Sequence, residues 1–307
     1  MNIINTINKD LFMKYIIAIS SAVLLSACSV MPFQQSATEP VEIRFTAQIN
    51  GQGFECGKSY TNIGTTKSTI TPSDFRMYVS QVQLLTADGK SVPVTLTQDK
   101  TWQLDNVALL DFENGQGPCR NGTPATNMSV RGMVPPGSYT GLSFVVGVPF
   151  ERNHGDPTVS PAPLSSTAMF WNWQGGYKFI KFDTATSGRP TTNAMPAPQG
   201  GGNASGFSVH LGSTLCASPS KTQGPSSCQN SNRIDIRMPD FNVAKDVVVI
   251  DMGRVLSNSN VDVNTEGTSP GCMSFPKDAD CPAIMGAFGL TYDGVKAAGP
   301  QRFIFKK

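Results

Sequence analysis

Every second residue from Val41 to Ile49 is apolar: Val41, Ile43, Phe45, Ala47 and Ile49. Side chains of an extended chain point alternately to opposite faces, so a period of two describes a strand with one face in a core. The pattern recurs along the chain. In "GLSFVVGV" the apolar positions are Leu142, Phe144, Val146 and Val148. In "DFRMYVSQVQLL" they are Phe75, Met77 and Val79, and the phase then switches at Val82 and Leu84. A β-bulge at Ser80–Gln81 would produce that switch. "GYKFIKF" is apolar on both phases, as expected of a central strand. "SVPVTL", "TWQLDNVALLDF", "FSVHLG", "RIDIRM", "DVVVIDM" and "QRFIFK" extend the series, and Asn50-Gly51 is a hairpin signal. Helical candidates are few, the best being "CPAIMGAFGL" from Cys281. The 29 glycines and 22 prolines fit a chain of strands and loops. The sequence predicts an all-β fold: a mostly antiparallel β-sandwich or open barrel with long loops and few short helices.

The N-terminal region reads as an address. "MKYIIAISSAVLLSAC", Met13 to Cys28, places Lys14 before an apolar run of signal-peptide length, too short to span a bilayer. It ends in "LSAC", which resembles the processing site of bacterial lipoproteins. That resemblance implies export, cleavage before Cys28, a lipid on its sulfur and an anchor in the membrane. Ser29 after the cysteine favours the outer membrane over the inner. Residues 1–28 are thus expected to be a signal segment, with an extension upstream of Met13. Residues 29–40 are expected to be a tether, and residues 41–307 a single β domain. Within that domain the Gly-, Pro-, Ser- and Thr-rich stretch 184–206 reads as a flexible surface loop.

Six cysteines remain beyond Cys28, an even number for an oxidising compartment, and three disulfides are expected. Closeness in sequence favours Cys216 with Cys228 and Cys272 with Cys281, leaving Cys56 with Cys119. The alternative, a thiolate metal site, lacks the C-x-x-C spacing that such sites use. The net charge is +2, and +1 once Lys9, Lys14 and Asp10 leave with the signal. No basic stripe is present, so nucleic acid is not an expected partner.

Catalytic templates fit poorly: there is no G-x-S-x-G elbow, phosphate loop or H-E-x-x-H motif. The scarce residues are more informative. The chain has two histidines and three tryptophans. His154 lies in a proline-rich loop, with Asp156 either orienting its imidazole or simply opening that loop. His210 lies off the apolar face of "FSVHLG", toward solvent or a site. Trp171 and Trp173 in "MFWNWQGGYKF" are two apart, so on a strand both indoles would project from one face. Gly175 and Gly176 would admit a closely approaching backbone. Three readings stay open for the paired tryptophans: core, an aromatic platform for glycan or peptide, and an oxidisable redox site.

The run "GVPFERNHGDPTVSPAPLSSTAMFWNWQGGYKFIKFD" closely resembles the MbnP family, also called the metallo-mystery-pair four-Cys-motif family. "PSDFRMYVSQVQLL", "VPVTLTQD", "WQLDNVALLDFENG", "HLGSTLC" and "GCMSFPKDADC" resemble it in the expected order, over nearly the whole mature chain. The last two stretches, the first together with Cys228 that follows it, would supply the four cysteines. The resemblance implies a copper protein of the periplasm or outer membrane that is not itself an enzyme. It further implies that a partner diheme enzyme of the cytochrome c peroxidase/MauG type, MbnH, oxidises the first tryptophan of W-x-W to kynurenine. Carried to this chain, Trp171 is the modified residue and Trp173 its neighbour. The new aryl amine, His154 and His210 would then bind one copper ion, since nitrogen donors suit copper. Met169 and Met273 are soft-ligand candidates whose packing role is favoured.

Overall fold

A computed structural model describes residues 37–187, 206–220 and 223–307. The signal segment with Cys28, most of the tether and most of the 184–206 stretch lie outside the described residues. Two mixed sheets pack around a common core. In the first, strand Glu39–Ile49 lies between Ser129–Val134, antiparallel, and Val248–Asp251, parallel. Thr95–Leu96 and Ile304–Lys306 form its edges. The alternation of the opening strand is realised: Val41, Ile43, Phe45, Ala47 and Ile49 are all buried. Its hairpin turns at Asn50 (φ 49°) and Gly51 (φ 77°), the positive pair that favours Asn-Gly.

The spine of the second sheet is an 18-residue strand, Ser68–Leu85. Its order runs Ile234–Met238, Gly141–Val146, Ser68–Leu85, Ile180–Thr186, Gly206–Leu211 and Gly271–Cys272, antiparallel except for the last pair. The phase switch in the spine is a bulge. Gln81 takes φ 54°, and the register with Gly141–Val146 slips between Ser143 and Val145. Phe45 meets Phe144 edge-on at 5.7 Å, joining the two sheets. Phe75 anchors the core against Phe54, Phe112 and Phe182, at 5.0 to 5.6 Å. The helices are short: Phe150–Asn153, Met252–Leu256 and, as expected, Cys281–Ala287. The three disulfides pair as sequence proximity suggested: Cys56–Cys119, Cys216–Cys228 and Cys272–Cys281. Pairing of Thr184–Thr186 and Gly206 in strands narrows the predicted loop at both ends.

The central strand Ile180–Thr186 of the second sheet is buried on both faces, but only one of them is apolar. Three adjacent strands carry polar–apolar–polar triplets in register. These are Asp74-Phe75-Arg76, Asp183-Phe182-Lys181 and Ser208-Val209-His210. The middle residues face the core. The outer ones face the other way and are also buried, Arg76 at 4%, Lys181 at 7%, Asp183 at 4% and His210 at 1% exposure. Buried charges need partners, and these have each other.

Asp111, opposite Arg76, belongs to the same region. Burial, with Glu113 nearby, pushes its carboxyl up to about 8. A group that binds its proton more tightly when folded favours folding at low pH. That contribution is lost as pH rises from the unfolded value of 3.8 through about 8. Asp111→Asn should therefore gain at least about 1 kcal/mol, roughly 3 °C, at pH 9 and little at pH 4. Paired melting curves across that range check it; an equal gain at both ends would refute the assignment.

Candidate metal centre

The W-x-W segment is a small ribbon. Phe170–Asn172 pairs with Gly176–Tyr177, and Asn172 Oδ1 accepts the Gly175 N–H at 2.8 Å to close the turn. Trp173 falls in that turn and not on the strand, so the expected common face for both indoles is not formed. Trp171 is half-buried and Trp173 is 41% exposed. The two glycines are needed for close approaches from within the chain. A Cβ on Gly175 would lie 3.1 Å from Trp171 Cε3, and one on Gly176 (φ 71°) would lie 2.3 Å from the Asn153 carbonyl oxygen.

Trp171 lies over Gly212, where a Cβ would come within 2.4 Å of its Cζ3. The ring is flanked by Phe275, 5.5 Å between centroids. Gly212 follows His210 by two residues, and Ser274, beside Phe275, donates its hydroxyl to the His210 carbonyl at 2.8 Å. His210, Gly212, Ser274, Phe275 and Trp171 therefore form one neighbourhood.

Both of the predicted His210 surroundings can be decided between: it does not face solvent. Its Nε2 meets Asp183 Oδ1 at 2.8 Å, while its Nδ1 is buried with no hydrogen-bond partner among the described residues. Burial lowers the imidazole's pKa; Asp183 opposes this, while Lys178 and Lys181 add to it. Burial works to raise the Asp183 carboxyl, but His210 and Lys181 hold it well below the usual carboxylate range.

His154 reaches the same neighbourhood through its chain neighbour. Asn153 accepts the Tyr177 N–H at 3.0 Å and donates to Ser213 Oγ at 3.4 Å, one residue past Gly212. The His154 ring donates from Nδ1 to the Trp173 carbonyl at 3.0 Å. Burial lowers its pKa, and that bond to Trp173 opposes the change. Its Nε2, left with the lone pair, lies 3.2 Å from Asn153 Nδ2 and 3.5 Å from Cys228 Sγ. His154, Cys216 and Cys228 have ligand atoms within 4.8 Å of one another. The two sulfurs are bonded to each other, however, and a metal is held by thiolate.

Asp156 does not reach His154. Its Oδ1 accepts the Thr158 N–H and hydroxyl at 2.8 and 2.7 Å, and these bonds lower its pKa. This is the loop-opening role, an Asx-type turn. Met169 and Met273 are buried in packing.

Asp183, Gly212, Ser274 and Phe275 escaped sequence reading as residues of this neighbourhood. The triplets in register were the available signal for Asp183. Nothing in the sequence pointed to the niche at Gly212.

The MbnP family model matches residues 38–274. The chain belongs to the MbnP family. The solved structure of MbnP from Methylosinus trichosporium superposes with a TM-score of 0.74 at 30% identity, covering 88% of this chain and 98% of that one. A search among curated proteins gives no match. The MbnP match spans the spine strand, the W-x-W ribbon, both histidines and Ser274, and ends one residue before Phe275.

Proposed function

We propose that this MbnP-family chain binds copper at the cell envelope, through His154, His210 and a kynurenine made from Trp171. The buried, unpartnered Nδ1 of His210 carries the reading. A buried polar atom without a partner is rare and calls for an explanation. A neutral imidazole nitrogen held at its other end by a carboxylate is a common metal-ligand arrangement. The donor set fits copper, which takes imidazole and amine nitrogens readily.

Indole itself offers no available lone pair to a metal. Oxidation changes that. Removal of four electrons and four protons, with the oxygens of two water molecules taken up, cleaves the indole C2–C3 bond and gives the N-formyl ketone. Hydrolysis then releases C2 as formate and leaves an aryl amine. The electrons go to a partner diheme enzyme of the cytochrome c peroxidase/MauG type. The partly buried Trp171, with the exposed ring of Phe275 against it and the exposed Trp173 two residues on, supports approach by such a partner. The chain is then the substrate of an enzyme and not an enzyme itself. When bound, the metal supplies copper chemistry or cargo; the chain's own part is to orient two imidazoles and one amine.

Copper affinity of protein produced with and without the diheme partner tests this. The account expects tighter binding after oxidation, by at least about 10-fold for one added donor. Equal affinities would end it. We also propose that Cys28 carries a lipid that holds the protein to the outer membrane. Cys28→Ser should move it from the membrane fraction to the soluble envelope fraction; unchanged fractionation would contradict the anchor.

A further inference from the structure

We infer that Asp183 is the positioning residue of the copper site: it fixes His210 in the tautomer that leaves Nδ1 open, and Lys181 holds Asp183 in place to do so. The metal consequence rests on the copper reading above; the tautomer does not.

Donor and acceptor roles set the tautomer of His210. An ionised carboxylate can only accept, so at 2.8 Å from Asp183 Oδ1 the His210 Nε2 must carry the proton. In neutral imidazole the other nitrogen then holds a lone pair. That nitrogen is the Nδ1 with no partner among the described residues. Without Asp183, either nitrogen could carry the proton. An Nδ1–H tautomer would turn its donor toward the place where a metal needs an acceptor.

Asp183 is itself restrained. Its Oδ2 takes Lys181 Nζ at 2.7 Å. Lys181 also pairs with the Asp74 carboxylate, and Asp74 takes Arg76 Nε at 2.9 Å. Strand register sets this order: Lys181 lies opposite both Arg76 and His210, and Asp183 lies opposite Asp74 and Ser208. The result is a buried chain, Arg76, Asp74, Lys181, Asp183, His210, crossing three strands on one face. Two acids and two bases balance, so Asp183 need not take a charge from His210. Apolar residues of equal size would often fold as well or better than such ions. A second role for the chain, holding one ring nitrogen open, accounts for its presence beside an unpartnered atom.

The experiment is nitrogen-15 NMR of the imidazoles in the mature, metal-free protein with Trp171 unmodified, followed by copper titration of the oxidised form. The chain has two histidines, so His154→Gln identifies the His210 signals. Native His210 is expected as the Nε2–H tautomer. Asp183→Asn, whose amide can either donate or accept, is expected to give a mixture or the Nδ1–H form. Its copper affinity should fall 10- to 100-fold, with altered nitrogen hyperfine couplings in the Cu(II) spectrum. If Asp183→Asn does not fold, Lys181→Gln, which removes the ion pair to Asp183 and leaves Asp183 itself in place, should shift both readouts in the same direction by less. A native Nδ1–H tautomer, or variants with native tautomer and affinity, would overturn the proposal. If the tautomer follows Asp183 but no oxidised protein binds copper, the positioning stands and the copper reading falls.

Discussion

His210→Ala is expected to weaken copper binding by at least about 100-fold, the upper end of what losing a ligand's hydrogen-bond partner alone costs. Two effects combine. The variant removes one of three proposed donors, and removes the one whose free nitrogen is buried. It also leaves Asp183 Oδ1 without its donor in a buried position. That oxygen's loss of a partner, with the cavity left by the ring, should cost about 2 kcal/mol of stability. Competition titration and thermal melts on the same sample separate the two. A variant that melts lower yet binds copper as the native protein does would make His210 a structural residue only. His154→Ala should weaken copper with a smaller loss of stability, because its ring is half-buried.

Gly212→Ala is expected to reduce both the oxidation of Trp171 and the copper bound. The added Cβ would sit 2.4 Å from Trp171 Cζ3 and 2.9 Å from the Tyr177 carbonyl oxygen. The backbone is held on the Tyr177 side, so the indole must leave its niche or the ribbon must shift. Overpacking of this kind costs about 1–3 kcal/mol. A ring displaced from Gly212 is also displaced from the neighbourhood of His210, where the new amine must act. The control is Gly286→Ala, in the helix Cys281–Ala287, where a Cβ meets nothing within 4 Å. Peptide mapping of both variants after exposure to the diheme partner reads the yield. Native yield in Gly212→Ala would show that the niche does not position Trp171.

The alternation in Val41–Ile49, the bulge at Gln81 and the helix at Cys281 were legible because each is a local pattern with a local cause. The disulfides were legible because two pairs close short loops. The W-x-W geometry was not. A period of two assumes a strand, and here the strand ends at Asn172, because Asn172 and Gly175 close a tight turn. The choice between solvent and a site for His210 stayed open in the sequence for a different reason. Alternation separates the two faces of a strand but does not say that the polar face is also covered. Asp74, Arg76, Lys181 and Asp183 lie on two adjacent strands, and only the register between them shows that they neutralise one another. The orienting role considered for Asp156 beside His154 has its counterpart in Asp183 beside His210, a residue found by pairing across strands and not by nearness in sequence.

On the proposed reading, Trp171 becomes a metal donor. Peptide mass spectrometry of protein from its native host, with the copper content of the same sample, tests it most directly. The peptide holding Trp171 should gain one oxygen and lose one carbon, the net change from tryptophan to kynurenine, with copper accompanying it. An unmodified Trp171 in copper-free native protein would contradict the account and leave the exposed rings as a binding platform.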